Sequence, residues 1–176
     1  IHGGGYRTGQ GAVPWYNGTR FARDADIVVV TINYRLGALG FADLSSLREA
    51  YATSGFNGTL DQIAALSWVK DNIGAFGGDP DRVTVAGESA GGFSVATLLA
   101  ANQAQGLFQR AIPQSGAGHH TLPREAALQV TQQFLHELAD PRGERLLSVP
   151  AEDILAAQQR TIAHFEHEAL GANALG

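Results

Sequence analysis

Apolar residues fall along this chain in two rhythms. Ile27-Val28-Val29-Val30-Thr31-Ile32 is an unbroken run dominated by β-branched residues, the pattern of a parallel-sheet strand covered on both faces, and Asn33-Tyr34-Arg35 closes it. From Leu60, the residues Ile63, Leu66, Val69, Ile73 and Phe76 recur every three or four positions, with Asp61 in the first turn and Gly74 near the end. That spacing predicts an amphipathic helix covering one face of a sheet. Residues 83–86 predict the next strand, residues 93–101 a helix using Val95, Leu98 and Leu99, and Ala111-Ile112 with flanking Phe108 a further strand. Pro113 cannot donate to a ladder, so this last strand is expected to stop or bulge there. Beyond Thr121 the rhythm is helical only: residues 123–139 place Val130, Phe134 and Leu138 on one face, and residues 150–165 turn Ile154, Ile162 and Phe165 inward. Strand and helix alternate and then strands cease, so the expected class is α/β with its later strands missing.

Composition bounds this picture without redrawing it. The 176 residues are 44% hydrophobic, with no linker or repeat, and fit one domain spanning 1–176. A net charge of -5, one lysine (Lys70) and scattered arginines leave no basic footprint for nucleic acid. The absence of cysteine excludes disulfides, thiolate metal sites and a thiol nucleophile, and leaves the compartment, cytoplasmic or secreted, open. No apolar stretch approaches the roughly 18 to 20 residues of a membrane span. The chain starts at Ile1, contains no methionine and opens directly on a glycine loop, so the N-terminus proper, with any export signal, is expected to lie upstream.

Candidate chemistry centres on Gly87-Glu88-Ser89-Ala90-Gly91, placed between a predicted strand and a predicted helix. A serine on such a turn is where a nucleophile belongs, and the flanking glycines allow the close backbone approach a strained turn demands. The competing reading is a glycine-rich turn whose serine merely caps the helix. His2-Gly3-Gly4-Gly5 is a loop able to aim backbone N–H groups at an oxyanion; alone it also reads as a glycine turn at a strand end. Ala90, directly after the serine and at the start of the helix, adds an amide whose dipole favours negative charge. Together these segments describe acyl transfer.

Several segments resemble one family, the type-B carboxylesterases of the α/β-hydrolase fold, which is para-nitrobenzyl esterase-like and cholinesterase-like. They are IHGGG (1–5), NYRLGALGF (33–41), NGTLDQIAALSWV (57–69), FGGDPDRVTVAGESAGGFSV (76–95) and AIPQSG (111–116). Phe56 and Pro113 depart from common family residues without touching the chemistry. The resemblance implies a partial α/β-hydrolase fold, an internal fragment of a longer esterase, with Ser89 as nucleophile and Gly4, Gly5 and Ala90 as a three-donor oxyanion hole. It implies His2 as organiser of the glycine loop, and Glu88 and Ser115 as polar neighbours beside the site, linked by a hydrogen bond directly or through water. Ser115 also reads as an ordinary turn serine. The implied reaction is hydrolysis of a small-molecule carboxylic ester through an acyl-enzyme, with no cofactor or metal. Phe41 and Phe93 are candidate pocket walls or simple core residues.

A serine of this kind needs a histidine base and an orienting acid, which in α/β hydrolases follow it in the chain; both are expected beyond this segment. His119 and His120 lie on a loop after the last strand with no suitable acid following. His136 reads as a surface helix residue. His164 and His167 with Glu166 and Glu168 lack metal-site spacing and read as a solvated helix end. Two rivals stand beside the esterase: a noncatalytic adhesion or interaction domain on the same fold, and a lipase or amidase using the same serine.

Overall fold

The computed structural model describes residues 1–118 and 121–174. In chain order its helices are α1 (Thr19–Ala25), α2 (Gly37–Phe41), α3 (Asn57–Asn72), α4 (Ala90–Ala100), α5 (Arg124–Glu137) and α6 (Ala151–Ala174), and its strands are β1 (Thr84–Glu88) and β2 (Arg110–Gln114). The chain divides into two compact units, residues 1–36 with 57–121 and residues 37–56 with 122–176.

In the first unit β1 and β2 pair in parallel, Thr84 opposite Arg110 through Glu88 opposite Gln114. Parallel neighbours need a crossover, and α4 supplies it. Val95 and Leu98 on α4 close over Val85 of β1 and Leu66 of α3, with Ile1, Ile63, Phe108 and Ala111 packed around them. Helix α3 begins at Asn57, one turn ahead of the position its spacing predicted. Asp61 is therefore not a first-turn residue; it accepts hydrogen bonds from the Arg35 N–H, Nε and Nη2 at 2.9, 2.8 and 2.8 Å. Leu66, Val69 and Ile73 are buried as their periodicity requires, whereas Phe76 and Leu99 are exposed.

Two expectations are corrected here. Pro113 lies inside β2, opposite Gly87, without ending the strand; among the described residues β2 has one neighbour, β1, and on such an edge a missing N–H breaks no second ladder. Residues 27–32 do not form a strand and are not covered on both faces. Val28, Val29 and Val30 are 40–42% exposed, and among the described residues no backbone hydrogen bond joins this run to another segment. An extended run becomes a strand only by pairing, and among the described residues it finds no pairing partner. With Trp68, Ile73 and Phe76 it lines a shallow apolar groove.

The second unit is helical. Phe134 and Leu135 of α5 and Ala157 of α6 form its core, with Ala38, Leu44, Leu47, Leu146 and Ile154 against them. Arg160 Nε donates to Glu137 Oε2 at 2.9 Å across the helix pair, and Thr131 Oγ1 donates to the Asp43 carbonyl at 2.9 Å. Among the described residues no helix is long and apolar enough to cross a membrane.

Candidate active site

Ser89 connects β1 to α4 with φ 56° and ψ −121°, a conformation an L-residue adopts only under constraint. Two backbone bonds hold the turn: the Ser89 N–H donates to the Gln114 carbonyl of β2 at 2.9 Å, and the Phe93 N–H donates to the Ser89 carbonyl at 3.0 Å. The side chain makes no capping hydrogen bond to α4. The residue is half-buried, and the helix-capping reading of this serine finds no contact to stand on.

The opening loop lies against this turn. The Ile1 nitrogen donates to the Ala86 carbonyl of β1 at 2.7 Å, which lays the loop along the strand that ends at Ser89. A methyl group on Gly91 would overlap the Ile1 carbonyl oxygen, and one on Gly3 would sit 2.7 Å from the Glu88 carbonyl and 3.2 Å from Ser89 Cβ. Glycine at both positions is the condition for the loop and the turn to touch.

His2 is buried within the loop's base. Its ring stacks on Tyr34 with centroids 4.5 Å apart, and its Nδ1 donates to the Gly3 carbonyl at 2.8 Å; a carbonyl only accepts, so the proton sits on Nδ1. The Tyr34 hydroxyl donates to the His2 carbonyl at 2.8 Å, and the Gly3 N–H donates to the Tyr16 hydroxyl at 3.0 Å. Burial, then the neighbouring Tyr6 and Tyr16, push the Tyr34 phenol far above its ordinary value, so this brace stays neutral. Tyr16 and Tyr34 were not singled out by sequence reasoning. Tyr34 stands in a quoted motif, but Tyr16 carries no local signal, because its contact is made 13 residues away.

Beyond Gly3 the backbone turns left-handed at three successive residues, Gly4 at φ 112°, Gly5 at 60° and Tyr6 at 59°. The Gly4 carbonyl accepts from the N–H groups of Arg7 and Thr8 at 3.1 and 3.0 Å. Among the described residues no hydrogen bond occupies the N–H of Gly4 or Gly5. Ala90, first residue of α4, has an N–H with no acceptor inside its own helix. The structure thus brings Ser89 beside the opening loop and the first residue of α4.

The remaining candidates fall elsewhere. Glu88 is exposed, as is Ser115 at φ 49°, and no direct hydrogen bond joins them; the Glu88 carboxylate instead flanks Gly3. Phe93 lies on α4 and Phe41 on α2, both half-buried. His119 and His120 lie outside the described residues. His136, His164 and His167 are exposed, and among the described residues no cluster of histidine and acidic side chains could hold a metal.

Solved structures sharing this backbone are esterases of the α/β-hydrolase fold, and the small parallel sheet with flanking helices is part of that fold. A PNB esterase structure superimposes with a TM-score of 0.85 at 52% identity, over 90% of this chain and 34% of that one. A carboxylesterase of Geobacillus stearothermophilus gives 0.86 at 52% identity over the same shares. Residues 1–170 match the Carboxylesterase family, and the chain belongs to it. It is 51% identical to the para-nitrobenzyl esterase of Bacillus subtilis (strain 168) over 170 residues, 95% of this chain and 34% of that protein. It is 45% identical to a probable N-octanoylanthranilate hydrolase of Rhodococcus erythropolis over 92% of this chain and 34% of that protein. The chain thus spans about a third of the length of the curated relatives it matches.

Proposed function

We propose that these residues carry the nucleophile and oxyanion hole of a carboxylic ester hydrolase. Ser89 attacks the ester carbonyl, the N–H groups of Gly4, Gly5 and Ala90 hold the oxygen as it gains charge, the alcohol leaves, and water attacks the acyl-serine. The observation that supports the reading is the contact of the opening glycine loop with the strained turn at Ser89, together with a serine side chain that makes no capping hydrogen bond. His2, fixed by Tyr34 and its own Gly3 carbonyl, shapes the loop and is not the base. The histidine and acid that activate the serine come from polypeptide outside residues 1–176; among the described residues neither kind of group hydrogen-bonds to Ser89.

Labelling of the full-length polypeptide by a fluorophosphonate tests this directly. The adduct is expected on Ser89, and Ser89→Ala is expected to abolish it and to lower kcat on a nitrophenyl ester by on the order of 10⁴- to 10⁶-fold. Labelling elsewhere, or turnover that survives Ser89→Ala, overturns the reading. Residues 1–176 alone are expected to retain no more than the residual roughly 10³- to 10⁴-fold acceleration over water that oxyanion stabilisation and binding supply.

A further inference from the structure

We propose that Gln62, Ser94 and Tyr6 form a buried polar strut that ties the opening glycine loop to α3 and α4 and thereby positions the Gly4 and Gly5 amides for the oxyanion. The inference rests on the esterase reading above and assigns to Gln62, Ser94 and Tyr6 positioning roles, since each acts through the loop.

The strut is read from side-chain bonds that cross the unit. Gln62 on α3 is fully buried and its Nε2 donates to Ser94 Oγ at 3.0 Å. Ser94 is likewise buried, on α4, little more than one turn past Ser89. Because its oxygen is already accepting from Gln62, its own proton is directed onward, and it donates to the Tyr6 hydroxyl at 3.3 Å. Burial pushes the Tyr6 phenol above its ordinary value, although the Ser94 bond acts the other way; the group stays a neutral hydroxyl.

Two features point to positioning over packing. Gln62 keeps its Oε1 buried without a hydrogen-bond partner among the described residues, a cost an apolar residue of similar volume would avoid. An amide there earns its place through the bond its nitrogen makes. Tyr6 stands third in the left-handed stretch that begins at Gly4, and a side chain with a Cβ disfavours that conformation. Left to itself, Tyr6 would relax toward ordinary φ and swing the preceding amides with it. A bond from α4 to its far end opposes that relaxation, and α4 is the helix whose first residues hold Ser89. The strut therefore couples the two halves of the site through a second route, separate from the contacts of Gly3 with Glu88 and Ser89 and of Gly91 with Ile1.

The experiment uses the full-length polypeptide with active sites counted by fluorophosphonate titration. For Tyr6→Phe and Ser94→Ala, kcat per titrated site is expected to fall about three- to tenfold, in line with loss of one modest hydrogen bond, while KM for a nitrophenyl ester holds. Affinity for a trifluoromethyl ketone, whose adduct carries the oxyanion, is expected to fall by the same factor as kcat. The double variant is expected to be no worse than either single variant, because both cut one chain of bonds. Gln62→Met is the separating variant: it removes the unpaired oxygen, so Tm is expected to hold or rise while kcat falls. Unchanged kcat per titrated site in Tyr6→Phe and Ser94→Ala overturns the strut and leaves the esterase reading intact. Losses that follow only Tm or the number of titrated sites assign the three residues to packing and also overturn it. A wild type in which Ser89 does not titrate overturns both readings.

Discussion

Two stretches of the first unit are built on opposite terms. Where residues 1–5 meet the turn at 87–91, side chains are almost absent and backbone touches backbone: the Ile1 nitrogen bonds to Ala86, Gly3 lies against Glu88 and Ser89, and Gly91 lies against Ile1. Residues 27–31 have the reverse composition, a run of large β-branched groups whose backbone finds no partner among the described residues and whose side chains remain two-fifths or more exposed at Ile27, Val28, Val29 and Val30. The first stretch is specified by steric exclusion, which acts locally and needs no distant residue. The second is specified by hydrophobic pairing, which is realised only when something lies alongside. The proposed oxyanion site rests on the first kind of specification.

Substitution at the glycine seam tests that contrast hardest. Gly91→Ala puts a methyl group onto the Ile1 carbonyl oxygen, with the His2 carbonyl 3.1 Å away. Both obstacles are backbone and cannot rotate aside, so a loss of at least about 3 kcal/mol in unfolding free energy is expected from urea denaturation. A loss under about 1 kcal/mol would mean that loop and turn separate freely, and that the seam does not define the site.

The same substitution at two valines sharpens the other half. Val95 is fully buried in the core of α4, whereas Val28 is 42% exposed. Val95→Ala is expected to cost about 2 to 4 kcal/mol through lost contacts and a residual cavity, and Val28→Ala less than about 1 kcal/mol. Comparable costs would show that the run at 27–31 is packed far more firmly than its exposure indicates.

This division also explains what could be read in advance. The turn at Ser89, its flanking glycines and the amide of Ala90 were legible because strand, turn and helix are contiguous and the steric demand falls within five residues. The buried face of α3 and of the turn after it was legible from Leu66, Val69 and Ile73, since periodicity survives any choice of neighbour. The start of α3 was not: the helix reaches back to Asn57, and Asp61 spends its carboxylate on Arg35, 26 residues away. Residues 27–32 read as a strand because composition records β propensity but not whether a partner is present. Pro113 misled in the opposite direction, since the penalty for proline depends on whether its strand lies at an edge. Of the tyrosines bracing His2 and Gly3, Tyr34 stands within the NYRLGALGF segment, whereas Tyr16 left no local trace.

Gly5 separates dihedral strain from crowding within the seam. Apart from its own chain neighbours, no atom of the described residues lies within 4 Å of where a methyl group would stand, yet its φ is +60°. Gly5→Ala is therefore expected to cost about 1 to 2 kcal/mol from backbone strain alone, well below the Gly91→Ala loss, again by urea denaturation. Equal losses at the two positions would make conformation, and not close approach, the governing constraint.

The smallest expected effect concerns what anchors the exposed run. Arg35 stands three residues beyond Ile32 and grips Asp61 of α3 with Nε and Nη2, both at 2.8 Å. The hydrogen bonds from Arg35 hold the Asp61 carboxyl below the usual aspartate range, against the opposing effect of burial. A depressed folded value means the pair's contribution is fully present above the unfolded aspartate value, near 3.9, and is lost as pH falls through the lower folded value. The Arg35 side chain is 50% exposed, so solvent screening limits the contribution to about 1 kcal/mol or less. Asp61→Asn should accordingly lower the urea midpoint at pH 7, most visibly at low ionic strength, and the two proteins should converge as the wild-type carboxyl is protonated. A gap that persists unchanged into acid would show that Arg35 and the end of the run are held by shape and not by charge.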